Sequence, residues 1–449
     1  MKHLLDKYTE SFIGKKVGFI GCGVSNMPIV EMLTKKGVAL SVRDKKENFD
    51  NIEQLKELDV KIINGIGYLD NIYEDILFLS PAVRDDLPEL VKAKNNGTII
   101  TTEMEEFFKL CKAKTIAVTG SDGKSTTTTL ISEILKASGK RVHIGGNIGK
   151  NLLATLDEIQ ESDIVVAELS SFQLMKMTVS PDIAIVTNVT PNHLDWHKDM
   201  DEYIKAKTNI FNFQKKDGIL ILNYDDKITR GFAPRANGSV HFISGEEKLP
   251  DSIYFNEKGI YKGEELLLAD EDIFLVGRHN RYNYASALAA TEGFATEEGI
   301  LKVARSFGGV EHRLEFVREL DGVKYYNSSM DSSPSRTKAC LESFKNKVIV
   351  ICGGYDKNIP LEPLGPLFNE KAKAAILLGA TADKIEVILK NIGYNNYYRV
   401  NTLDEAVKKA NGLAESGDCV VLSPAAASFD LFKNFAERGN LFKDLVKKL

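Results

Sequence analysis

Lys124 directly follows a glycine and Ser125 directly follows Lys124, at the point where a β-rich run gives way to a helical pattern. The run Thr115-Ile-Ala-Val-Thr-Gly120-Ser121-Asp122-Gly123-Lys124-Ser125-Thr126 reads as a strand, a glycine loop and the entry to a helix over 127–137. Backbone amides of such a loop cradle phosphate at a helix N-terminus, where the peptide dipoles favour negative charge. Lys124 is then placed to reach the β- and γ-phosphates of a nucleotide, and the Ser125 hydroxyl to hold magnesium. The strict phosphate-loop pattern needs glycine where Val118 stands. A Gly/Ser/Thr-rich helix start without a chemical role is the competing reading, and the order strand, loop, helix argues against it.

Glu168 closes an apolar run over 164–167, which puts a carboxylate at the C-terminal end of a strand, where open α/β sheets bind ligands. A hard oxygen there suits magnesium bound to ATP, and a solvated acid at a strand end is the plain alternative. A strand over 183–186 leads into Thr187-Asn-Val-Thr-Pro-Asn-His193-Leu-Asp195-Trp196-His197. Because magnesium prefers oxygen, residue type alone reads His193 as a loop histidine. The amphipathic run 203–211 carries Lys205 and Lys207, which spacing does not separate and which by default are solvated.

A second glycine loop, Gly21-Cys-Gly23-Val-Ser25-Asn26, follows the strand 16–20, and Asp44 ends the next strand. That is half of a nicotinamide fingerprint, with Asp44 on the ribose and Asn26 where a third glycine belongs. Near the other end of the chain, a strand over 348–351 leads to Cys352-Gly-Gly-Tyr-Asp356-Lys357. It presents a cation at a strand end, or is a tight turn with an exposed lysine.

These loops need sheets to hold them, and short β-branched runs alternate with helical patterns almost throughout, as βαβ units and parallel sheets do. The segment 217–274, with short strand-like pieces and turns between them, reads as an antiparallel addition to the middle of the chain. A third β-rich start is expected at Val323. A length of 449 residues favours three domains, with joins expected near Cys111 and Glu315. A charge of -5 offers no basic excess for nucleic acid, and no apolar run is long enough for membrane insertion. The opening MKHLLDKYTESF lacks a secretory core, so a cytosolic protein is expected. Five scattered cysteines indicate neither a disulfide framework nor a zinc cluster.

The runs 120–126, 168–173 and 188–195, then Gly277-Arg-His-Asn280-Arg-Tyr-Asn283 and Glu311-His-Arg313, resemble the ordered motifs of the Mur ligase family. That family comprises ATP-dependent amide ligases of peptidoglycan precursor synthesis, and the resemblance covers nearly the whole chain. Glu168–Leu174 and Leu422-Ser-Pro-Ala-Ala-Ala-Ser428, continuing through Phe435 to Gly439, are similar to the branch that adds D-glutamate to UDP-N-acetylmuramoyl-L-alanine.

The resemblance implies an α/β protein of three domains. A Rossmann-like UDP-substrate domain spans 1–111, a central ATPase-type parallel sheet with the small antiparallel addition spans 112–314, and a Rossmann-like D-glutamate domain spans 315–449. It assigns ATP to Gly120, Ser121, Asp122, Gly123, Lys124, Ser125, Thr126, Asn280, Asn283 and Arg313. Two magnesium ions fall to Ser125, Glu168, His193 and Lys207, the last as a carbamate, which supplies an anionic oxygen where an ammonium would repel the metals. With Lys124, the residues Glu168, His193 and Lys207 are the implied catalytic set. The UDP substrate falls to Gly21, Gly23, Ser25, Asn26, Asp44, Ser80, Pro81 and Asn147, and D-glutamate to Ser332, Lys357, Ser428 and Phe435. A monomer is expected.

One position departs from the family pattern. Ser328 stands where an aspartate is usual, which removes a carboxylate from the nucleotide side, and Asp331 is the nearby acid that can compensate. Other readings are another Mur-type or folylpolyglutamate-type ligase, or a nucleotide-binding homologue impaired in catalysis.

Overall fold

Three runs of β-branched residues separated by helices produce three sheets. The computed structural model describes every residue except Met1 and Asp251, and every side chain except theirs and those of Lys2 and His3. By contact density the chain divides into two units: residues 1–270 with 281–303, and residues 271–280 with 304–449.

The first unit holds two sheets. Strands β1 (Lys16–Ile20), β2 (Ala39–Asp44), β3 (Lys61–Asn64), β4 (Ile76–Leu79) and β5 (Ile99–Thr101) pair in parallel in the order β3-β2-β1-β4-β5. Strand order therefore reverses beside β1, so its glycine loop opens at the switch point where such sheets bind ligands. The second sheet contains β6 (Lys114–Thr119), β7 (Val142–Gly146), β8 (Ile164–Glu168), β9 (Ile183–Val186), β10 (Ile219–Asn223), β11 (Ser239–Ser244), β12 (Ile253–Asn256), β13 (Gly259–Lys262) and β14 (Glu265–Ala269), in the order β14-β13-β12-β11-β10-β9-β6-β8-β7. One apolar cluster runs through both sheets, from Val17 and Phe78 to Val165 and Leu222.

The expected antiparallel addition is smaller than the sequence suggests. β10 and β11 continue the parallel sheet, β12 pairs parallel with β11, and only the β12-β13-β14 pairings are antiparallel. The reason is burial: Leu220, Ile221 and Leu222 are all fully buried, so β10 is covered on both faces as an internal parallel strand is.

The second unit holds β15 (Glu315–Leu320), β16 (Val323–Asn327), β17 (Val348–Cys352), β18 (Ala372–Leu377), β19 (Tyr397–Arg399) and β20 (Cys419–Leu422), in the order β15-β16-β20-β17-β18-β19. It begins one strand earlier than Val323, because β15 and β16 form an antiparallel hairpin. The other pairings are parallel, and β17 shows the alternation that builds two covered faces. Val350 and Cys352 join one apolar cluster, and Ile349 and Ile351 the other.

Candidate active site

Thr119 ends β6, and the loop beyond it cannot be built without glycine. Gly120 and Gly123 have φ of +148° and +81°. A Cβ on the first would collide with Thr187 Oγ1, and one on the second would lie 2.5 Å from Asn283 Oδ1. The residues after β9 hold the loop. Ser121 N donates to Asn188 O at 2.9 Å, Asp122 N donates to Asn188 Oδ1 at 2.9 Å, and Thr187 Oγ1 donates to Asp122 O at 2.6 Å. Lys124 opens the helix Lys124–Ala137 and folds over its own loop, donating to Gly120 O at 3.0 Å and Ser121 O at 2.9 Å. Ser125 follows half-buried and Thr126 buried. Thr127 Oγ1 donates to Asn283 Oδ1 at 3.2 Å, which sets Asn283 against the first turn of that helix.

Glu168 sits at the end of β8 with its side chain buried. Its Oε1 accepts from Asn147 Nδ2 at 2.7 Å, while the buried Oε2 has no hydrogen-bond partner. Lys207, on the helix Met200–Asn212, is only 1% exposed and donates to Gly120 O at 2.7 Å. Burial pushes its amine well below the ordinary lysine range, and the Lys124 charge adds to that effect. Lys205 is exposed on the same helix, so burial separates the two lysines that spacing left equivalent. His193 takes a left-handed φ of +55° in the turn after β9, with its ring 5.0 Å from that of Phe172. Among the described residues no three His, Cys, Asp or Glu side chains gather as a metal cage. A hard cation here would draw on the free oxygen of Glu168, a hydroxyl and phosphate oxygens, which is how magnesium is usually bound.

The first sheet presents the other loop. Gly21, with φ +73°, lets the backbone pass Ser80, where a Cβ would come within 3.0 Å. Gly23 faces open space. Asn26 is buried, donates to Gly21 O at 2.7 Å and leaves Oδ1 without a partner. Asn151 Nδ2 donates to Ser25 O at 2.6 Å, so the segment after Asn147 is tied to this loop. Asp44 ends β2, with Oδ1 accepting from Lys46 N. Ser80 and Pro81 follow β4, where Lys176 Nζ donates to Pro81 O at 2.7 Å.

The remaining expected residues lie in the second unit. Asn280 is buried and donates to Val276 O at 2.6 Å. Lys357 is exposed after β17, Ser332 is half-buried, Ser428 is buried after β20, and Phe435 opens the helix Phe435–Lys448. The loops that carry them are bonded together. Tyr355 N donates to Ala427 O at 2.9 Å, and Ser329 Oγ donates to Phe435 O at 2.7 Å. Arg438, which sequence reading passed over, is 2% exposed and donates to Ser329 O, Ser329 Oγ, Ala426 O and Ala427 O. Asp331 is buried, accepts from Ser423 Oγ at 2.8 Å and is pushed up to about 6, chiefly by burial, while Ser328 and the Arg313 charge pull it down. An acid thus stands beside Ser328 after all.

Three family models match the chain. They are the MurD-like N-terminal domain of Mur ligases over residues 15–102, the Mur ligase middle domain over 118–291, and the Mur ligase glutamate ligase domain over 312–426. Relatives named UDP-N-acetylmuramoylalanine–D-glutamate ligase from Acetivibrio thermocellus and Clostridium beijerinckii are 46% and 45% identical, with 100% of both chains covered in each case. Among solved structures, the UDP-N-acetylmuramate-alanine ligase of Thermotoga maritima has the same fold, with a TM-score of 0.59 at 19% identity over 97% of this chain and 99% of that one. The chain belongs to the Mur ligase family.

Proposed function

We propose that this chain joins D-glutamate to UDP-N-acetylmuramoyl-L-alanine at the expense of ATP, in the cytosol and as a monomer. The observation that carries the chemistry is the buried, partnerless Oε2 of Glu168 in the same sheet as a glycine loop whose Gly120 carbonyl receives the Lys207 amine. The choice of acceptor rests on the relatives named for D-glutamate, which match the chain end to end.

Ser125, Glu168, His193 and the carbamate of Lys207 would hold two magnesium ions, which neutralise phosphate charge during transfer. Lys207 is suited to carbamylation because a neutral amine attacks carbon dioxide: an N–C bond forms, a proton leaves to water, and a cation becomes an anionic oxygen donor. Lys124 exchanges the carbonyls of its own loop for the β- and γ-phosphates, and the N-terminus of the helix Lys124–Ala137 adds its dipole to the same site. The substrate carboxylate then attacks the γ-phosphorus, and the bond to the β,γ-bridging oxygen breaks to release ADP. The D-glutamate amine adds to the acyl carbon of the resulting acyl phosphate and loses a proton, and phosphate departs to leave the amide. In the second unit, Lys357 and the Ser428 hydroxyl suit the two carboxylates of D-glutamate.

The test is phosphate release with ATP, magnesium, UDP-N-acetylmuramoyl-L-alanine and one amino acid at a time. Turnover with D-glutamate alone is expected. Turnover with a different acceptor, or nucleotide binding without turnover, overturns the reading.

A further inference from the structure

The loop after β4 and the turn after β9 are far apart in sequence, yet the first unit ties them together more densely than packing alone requires. Four successive contacts grip the loop. Lys176 Nζ donates to Pro81 O, and Trp196 Nε1 donates to Ala82 O at 3.0 Å. Arg84 donates to both oxygens of Glu202, at 2.7 and 3.0 Å, to both of Asp86, each at 2.8 Å, and to Trp196 O at 3.0 Å. Lys198 closes the ring on Asp86 at 2.7 Å. The Arg84 guanidinium also lies 5.0 Å over the Trp196 ring. These anchors lead directly to the site. Trp196 N and His197 N both donate to His193 O, and Phe172 packs against the rings of His193, Trp196 and His197. Glu202 stands in the first turn of the helix that carries Lys207.

We propose that Arg84 is a positioning residue for the UDP substrate: it locks the loop carrying Ser80 and Pro81 to the turn carrying His193, so that both meet the ligand in one register. A planar fork that satisfies two carboxylates and a carbonyl at once does this, whereas a lysine supplies only a point charge. The proposal rests on the ligase reading for its choice of ligand, but not for its structural claim.

Trp196 is the single tryptophan of the chain, so its fluorescence reports the lock without turnover. In Arg84→Ala, the Trp196 emission is expected to shift to the red and to become more open to acrylamide. The KM for UDP-N-acetylmuramoyl-L-alanine should rise about tenfold, as for removal of an outer partner of a site, with the KM for D-glutamate held within about twofold. Arg84→Lys should recover only part of either signal. Wild-type fluorescence and KM in folded Arg84→Ala, full recovery by lysine, or an equal rise in both KM values overturns the proposal. If Arg84→Ala does not fold, Trp196→Phe, which loses the bond to Ala82 O, should raise the same KM selectively, and an unchanged value overturns it. Wild-type protein that does not turn over D-glutamate overturns the ligase reading instead, and leaves the fluorescence test of the lock standing.

Discussion

Replacing Lys207 with methionine should inactivate the enzyme while making the ligand-free chain more stable at neutral pH. The hydrogen bond lost is the one to Gly120 O, and that carbonyl keeps a donor because Lys124 Nζ also reaches it at 3.0 Å. Thr119 Oγ1 is independently satisfied by donating to Leu169 O. The loss is therefore limited to about 1 kcal/mol. The opposing gain comes from no longer burying an amine whose charged form is disfavoured first by burial and then by Lys124. Its sign with pH follows from linkage. The unfolded chain holds the Lys207 proton up to 10.5 and the folded chain releases it earlier, so wild-type stability rises with pH across that window. The slope is about 1.36 kcal/mol per pH unit while Lys207 is neutral in the folded chain and charged in the unfolded one. Urea unfolding in carbon-dioxide-free buffer should then show wild type gaining on Lys207→Met as pH rises towards 10.5. A difference between the two proteins that stays constant over that range would refute the neutral, buried lysine.

Lys124→Ala should abolish phosphate release while leaving the fold intact by circular dichroism; wild-type release would remove Lys124 from the site. Gly120→Ala combines a backbone conformation foreign to alanine with a clash on Thr187 Oγ1, so a loss of about 3 kcal/mol and of ATP binding is expected, read by urea midpoint and nucleotide titration. Asp331 titrates at about 6 in the folded chain against 3.8 unfolded, so it holds its proton longer when folded. Stability should fall by about 2 kcal/mol as pH rises from 4 to 6 in wild type relative to Asp331→Asn, and parallel curves would contradict the buried acid.

The glycine loops were legible in the sequence because their physical demands are local: a strand, a turn with positive φ and a helix entry follow one another within a few residues. Glu168 was legible for the same reason, as the last residue of an apolar run. Lys207 was not separated from Lys205 because a lysine is by default solvated, although Tyr203, Ile210 and Phe211, spaced at i−4, i+3 and i+4 from Lys207, are buried on the same helix face. The extent of the antiparallel addition was misjudged because short strands with turns look alike whether their neighbours run parallel or not; only the coverage of β10 on both faces decides. Arg84, Glu202 and Arg438 left no local trace. Arg84 and Glu202 meet across 118 residues and Arg438 and Ser329 across 109, and charged residues are by default solvated.

Local rules are broken where the chemistry is assigned, and that convergence is an argument independent of any motif. A buried carboxylate oxygen without a partner costs more than a buried hydroxyl, so Glu168 Oε2 weighs more than the partnerless hydroxyls of Thr128 and Ser132 inside the phosphate helix. Asn26 Oδ1 adds an unfilled acceptor on the first sheet's glycine loop, and Lys207 a buried amine held below its usual range. Glu168 ends β8, Asn26 lies on the glycine loop after β1, and Lys207 reaches the Gly120 carbonyl of the glycine loop after β6. A chain with net charge -5 has no general affinity for phosphate, so these few groups must supply it. Ligands that satisfy them would return the stability they withhold, about 2.7 kcal/mol for a ligand at a hundred times its Kd. ATP with magnesium and the UDP substrate should therefore each raise the unfolding midpoint of the wild-type chain, while Glu168→Gln, whose amide no longer offers an anionic oxygen, should lose most of the magnesium-dependent part of that rise.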